Sequence, residues 1–145
     1  MDHETQFEAG RQGRLVAIRL KPNQDLVEGI ERAAGESGLR YATLRSGIGS
    51  LVDAALGYGS GEHAGVTTVE GPDIEILTLA GELRTDDNGR PHAYLQGTIA
   101  DAEARIYGGR FVRGANPIGI TLELVLQEWL PEEDEDPVEE GEELP

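Results

Sequence analysis

Residues 107–111 read Tyr-Gly-Gly-Arg-Phe. Two glycines before an arginine would let backbone amides close on a phosphate while Arg110 supplies the counter-charge; the same pair also suits a plain bend. Upstream, His92, Tyr94, Gln96 and Thr98 alternate along the chain, which sets all four on one strand face, with Leu95 and Ile99 on the other. Ser46-Gly47-Ile48-Gly49-Ser50 has the Gly-x-Gly spacing of a phosphate loop. It runs from strand to strand, with no Walker lysine and no helix N-terminus to present amides, so Gly47 and Gly49 read as corner glycines. Glu75 sits inside Ile-Glu-Ile-Leu. It is either a general acid whose pKa burial raises or the partner of an arginine across the sheet or a subunit interface. The chain has no cysteine, no His-Glu-x-x-His and no Gly-x-Ser-x-Gly, so no catalytic residue is assigned.

The surrounding composition narrows the function classes. A chain of 145 residues is one domain's worth, with enough length to bury a core. No apolar run approaches the length that spans a bilayer, and the polar start Met-Asp-His-Glu-Thr-Gln lacks the layout of a secretion signal. A cytoplasmic protein with no membrane partner is expected. The net charge is −16, but residues 131–145 hold nine acids and no base. Without them the chain carries 19 acids against 12 bases, or −7. The segment 131–145 therefore reads as a disordered, solubilising acidic tail and 1–13 as a flexible N-terminus, with the folded domain at 14–130. An acidic body argues against direct binding to a phosphate backbone.

Elements that must position these residues follow from periodicity. Arg14–Leu20 reads as a strand with Val16, Ile18 and Leu20 on one face. Asn23 is placed to cap a helix with Asp25 in its first turn, Leu26, Val27, Ile30, Ala33 and Ala34 as its apolar stripe, and Gly38-Leu39 as its stop. Strands are expected at 40–47, 50–59, 65–71, 73–84, 91–100 and 117–130. Asn88-Gly89 supplies a hairpin turn between the fifth and sixth of the seven strands. Ile120, Leu122, Leu124 and Leu126 share one face of the last. The result is an α+β domain on a mostly antiparallel sheet of about seven strands. Leu77 and Leu79 oppose Ile74 and Ile76, so the sheet looks apolar on both sides. Either a second helix within 102–116 or neighbouring subunits must then cover the second face.

The ordered blocks at 25–59, 70–83 and 89–111, most specifically Ser46–Ser50, Glu75–Leu77 and Gly108-Gly109, resemble the plant-and-prokaryote-conserved (PPC) domain. The resemblance implies a largely antiparallel sheet with flanking helices and a compact homotrimer. In plants the domain is joined to AT-hooks in DNA-binding proteins, and bacterial members are often labelled DNA-binding by analogy. The hook core is Arg-Gly-Arg-Pro, which enters a minor groove. Here the nearest match is Asn88-Gly89-Arg90-Pro91, preceded by Asp86 and Asp87, so DNA association is expected through partners. Many prokaryotic relatives carry histidines at the positions of Tyr94, Gln96 and Arg110, a set suited to zinc. None of these three residues is a good zinc ligand, and His92 alone makes no site, so no cofactor is expected. If Arg110 approaches the polar strand face, as the family pattern implies, the pocket takes a small anion, with Tyr94, Gln96, His92, Gly108 and Gly109 around it. Arg45, Ser46, Ser50 and Glu75 join the candidates because their blocks typify the family. The expected function is a binding or regulatory module; the alternative is an enzyme working in an inter-subunit cleft.

Overall fold

The computed structural model describes residues 4–132. Eight strands and one α-helix follow in the order β1 (Gly10–Leu20), α1 (Leu26–Ser37), β2 (Tyr41–Leu51), β3 (Ala54–Tyr58), β4 (Gly65–Val69), β5 (Ile74–Thr85), β6 (Pro91–Ala100), β7 (Ile106–Phe111) and β8 (Ile118–Pro131). One sheet contains all eight strands in the spatial order β1-β8-β2-β5-β6-β7-β3-β4. Every pairing is antiparallel. The fold class is α+β as expected, with one more strand and fewer helices. Among the described residues no helix is long and apolar enough to cross a membrane.

The helix forms where its apolar stripe predicts, and Leu26, Val27, Ile30 and Ala34 are buried against one face of the sheet. Its N-cap is Asp25, not Asn23, which takes a left-handed φ of 72°. The Asp25 carboxylate accepts from the Glu28 amide at 3.0 Å and from those of Gly114 and Asn116 at 3.0 and 2.9 Å. Those two further bonds tie the helix start to the loop before β8 and favour Asp25 at the cap. Gly38, at φ 76°, closes the other end, and Leu39 returns to the core. Glu31 is buried on the same helix; Arg113 neutralises it at 2.6 Å and the Ala93 amide donates to it at 2.9 Å.

Three features, two of them irregularities of register, correct the strand reading. β2 runs straight through Gly47 and Gly49, and the chain turns only after Leu51. These glycines are needed for close packing: a Cβ at Gly47 would lie 2.7 Å from Leu79 Cδ2, and one at Gly49 2.7 Å from Leu122 Cα. In β5 the register shifts between Ile76 and Thr78. This bulge brings Leu79 and Leu83 onto the core face with Ile74 and Ile76, while Leu77, set on the opposite face by alternation, is 45% exposed. A strand that looked apolar on both sides thus has one core face. A similar irregularity between β2 and β8, at Gly49/Leu51, turns Ile120 out to 76% exposure and leaves Leu122, Leu124 and Leu126 buried.

The segment 102–116 holds no helix; it contains strand β7 between two turns. Tyr107 and Phe111 pack toward the core, whereas Ile106, Gly108 and Arg110 face the other way, a period of two that a helix cannot satisfy. β1 begins at Gly10, inside the segment read as a flexible arm, because Gly10 pairs with Pro131. Of the segment read as an acidic tail, residues 133–145 lie outside the described residues.

Candidate functional site

The site arises where two strands part. β6 and β7 pair from Gln96–Ala100 to Ile106–Arg110, and the earlier half of β6 has no β7 partner. At this split the face opposite the helix opens into a cleft of about 820 Å³. Gln96 stands directly opposite Arg110, and Tyr94 lies two residues along, opposite Glu82 of β5. Thr43 of β2 continues that row, while Gly57 and Val66 of the β3–β4 hairpin line the far side. A smaller cleft of about 470 Å³ adjoins it, lined by Thr78, Thr98 and Gly108 and sharing Gln96 and Arg110.

Arg110 lies across β3. A Cβ at Gly57 would be 3.6 Å from its Nη2, so glycine leaves the guanidinium a flat path. Nη2 donates to the Gly59 carbonyl at 3.0 Å. Arg14, Arg19, Arg84, Arg105 and Arg113 are each ion-paired with a carboxylate. Arg110 has none within ion-pair distance among the described residues. The two glycines before it differ. A Cβ on Gly109 would come 2.6 Å from the Gly57 carbonyl oxygen, whereas one on Gly108 finds its nearest neighbour at 3.4 Å. Gly109 serves the strand packing and Gly108 faces the smaller cleft.

The remaining candidates do not join this cleft. His92 Nε2 lies 2.9 Å from Asp86 Oδ2 at the hairpin end of β6. The Arg90 backbone amide, with help from His92, holds the Asp86 carboxyl below its usual range. Ser50 Oγ accepts from the Ile120 amide at 3.0 Å and so supports the β8 irregularity. Ser46 borders a separate trough with Arg19, Ile48 and Glu123. Arg45 donates to Gln127 across β2 and β8. Glu75 is exposed, opposite Ala100, so neither burial nor an arginine partner distinguishes it.

Tyr107 is structural as well. Its hydroxyl donates to Asp101 Oδ2 at 3.1 Å, which pushes the phenol pKa up. Asp101 also accepts from the Glu103 and Arg105 amides at 2.9 Å each. The Arg105 amide is the main reason its carboxyl is lowered to about 2.

Glu82, Thr43 and Gly57 complete the cleft, and Gly59 the smaller one beside it, without having been singled out from the sequence. Glu82 was accessible to it: counting back from the Asn88-Gly89 turn, Thr85 pairs with Pro91 and Glu82 with Tyr94. Thr43 and Gly57 arrive through non-consecutive strands, for which the sequence carries no local signal.

Tyr94, Gln96 and Arg110 do converge, as the resemblance implies, but their donor set does not fit a metal cation. A phenol and an amide are weak zinc donors, and a guanidinium between them repels the ion. Among the described residues no three His, Cys, Asp or Glu side chains are grouped closely enough to hold a metal.

Two curated proteins from Synechococcus strains, both named bifunctional protein GlmU, are 33% and 32% identical over 115 and 117 residues. The alignments cover 78% and 81% of this chain, which spans only 16% and 17% of the length of those proteins. A solved plant- and prokaryote-conserved protein from Pyrococcus horikoshii superposes with a TM-score of 0.75 at 24% identity, covering 86% of this chain and 85% of that one. A metal-containing protein from Archaeoglobus fulgidus gives 0.74 at 22%, covering 88% and 87%. A protein from Bacteroides thetaiotaomicron, named as a candidate DNA-binder, gives 0.69 at 14%, covering 82% and 83%. The Plants and Prokaryotes Conserved (PCC) domain matches residues 7–130. The chain belongs to the PCC domain family.

Proposed function

We propose that this PCC domain is a cytoplasmic binding and regulatory module that assembles as a homotrimer and takes a small anion at Arg110. The observation that carries the anion reading is a guanidinium at a cleft with no carboxylate partner among the described residues, beside the Gln96 amide and the Tyr94 phenol. An arginine fork with neutral donors around it suits a carboxylate or a phosphate. The match to one segment of two much longer bifunctional proteins supports a module that can also be one part of a larger chain. Association with DNA, which the name of the Bacteroides neighbour raises, is proposed through partners, since the described cleft mixes charges of both signs and the chain is acidic overall. An enzymatic role in an inter-subunit cleft draws no support from the lining, which offers no nucleophile paired with a base.

Thermal-shift titration with phosphate, sulfate and small carboxylates tests the anion reading. The wild-type melting temperature rises with anion concentration; Arg110→Ala removes the rise and costs no more than about 1 kcal/mol of anion-free stability. Equal shifts in the two proteins would sink it. Native mass spectrometry of the freshly purified protein reads subunit count and any retained ligand together.

A further inference from the structure

The cleft has a second charged end. Glu82 lines it opposite Tyr94, two strands away from Arg110 across the sheet. Among the described residues its one side-chain partner is Arg84, through Oε2 at 3.1 Å. That pair is on the surface, with side chains 46% and 65% exposed, where such contacts contribute little. Oε1 has no bonded partner among the described residues. A carboxylate offers only acceptors, so it selects an ammonium or another donor. Tyr94, 58% exposed beside it, adds a ring face that attracts cations. Between the two ends stands the neutral Gln96 amide, and the Thr43 hydroxyl lies beyond Glu82 on β2. From Arg110 to Glu82 the path crosses two strand spacings and two residues, a backbone separation of roughly 12 Å.

We propose that the cleft is polar along its length and selects a ligand anionic at one end and cationic at the other, the anion at Arg110 and the cation at Glu82 and Tyr94. This rests on the anion reading above and adds the class of molecule. A simple anion uses only half of the lining. A molecule with ammonium and carboxylate groups separated by a chain of several carbons uses both halves and leaves neither charge facing its like.

The test compares 8-aminooctanoate with octanoate by thermal shift and isothermal titration on the full chain. The amino compound binds the wild type at least three-fold more tightly than octanoate. Glu82→Gln brings the two together, whereas Arg84→Gln, which frees Oε2, widens the gap. Arg110→Ala weakens both compounds. Equal binding of both by the wild type, with loss of both in Arg110→Ala, overturns the two-ended ligand and leaves the anion site standing. Absence of binding by either compound overturns this proposal, and with phosphate and sulfate also silent it overturns the anion site too. A preference for 8-aminooctanoate that survives Glu82→Gln overturns the assignment of the cationic end.

Discussion

At the scale of single residues, the aspartates that close turns matter more than the acids that looked chemical. Asp86 and Asp101 sit at opposite ends of β6 in matching five-residue turns. Each side chain accepts the amides two and four positions ahead, and each closing arginine returns a carbonyl to the aspartate amide. The pattern Asp-x-x-x-Arg appears twice in the sequence, at 86–90 and 101–105, but only the hairpin signal Asn88-Gly89 draws attention to the first. For Asp101 the consequence is a pH dependence of defined sign. Its carboxyl is lowered from 3.8 to about 2, so the folded state favours the charged form. The stabilisation is complete above the ordinary carboxylate value and is lost as pH falls from about 4 through about 2. Thermal melts across that window should show wild type losing melting temperature more steeply than Asp101→Asn. Parallel curves would mean that the turn bonds are not what lowers the carboxyl. Glu75 has none of these bonds and lies exposed on β5, opposite Ala100.

At the scale of elements, β7 decides the site. The Tyr-Gly-Gly-Arg-Phe stretch is neither a phosphate loop nor a bend; it is a strand, and its alternation puts Arg110 beside Gln96. The two glycines should separate in a mutational test. Gly109→Ala forces a Cβ against the Gly57 carbonyl and costs about 1–3 kcal/mol by denaturant unfolding. Gly108→Ala changes stability by less than about 0.5 kcal/mol, since its Cβ meets only ordinary contacts. A larger loss at Gly108 would reverse the assignment. Much of the element list was legible in advance: α1, the β5–β6 hairpin and the strand character of 91–100 follow from local periodicity and turn chemistry. The bulge at Leu77 and the irregularity that exposes Ile120 were not. A bulge depends on what the partner strand needs at that register, and a single strand carries no mark of it.

At the scale of the whole molecule, one helix covers one face of an eight-stranded sheet, and the other face carries large apolar side chains at Ile48, Leu77 and Ile106, with Ile120 nearby. Ile120 stands out because of the irregularity that keeps Ile118 and Leu122 in the core, and Leu77 because alternation sets it opposite Ile74 and Ile76. Apolar side chains gathered on an open face mark a surface suited to association, and the homotrimer proposed above buries it. Replacing Ile48 with Glu should shift the protein from trimer to monomer in native mass spectrometry and analytical ultracentrifugation, with secondary structure unchanged by circular dichroism. A trimer that survives Ile48→Glu and Ile48→Glu/Ile120→Glu would remove this face from the assembly.

The order of elements, the helix with its C-cap, the main hairpin and the mixed α+β class were determined by the sequence itself, because each depends on residues within a few positions of one another. Which residues form the site was decided by tertiary structure. The cleft combines β2, β5, β6, β7 and the β3–β4 hairpin, and β6 and β7 have to part for it to open. Local spacing showed that Tyr94 and Gln96 share a face, and counting from the turn could add Glu82. Only the folded sheet sets Arg110 over Gly57, outside ion-pair distance of every carboxylate among the described residues, at one end of a cleft whose other end is acidic. Charge placement of that kind depends on which strands are neighbours in space, and strand order is a property of the whole chain.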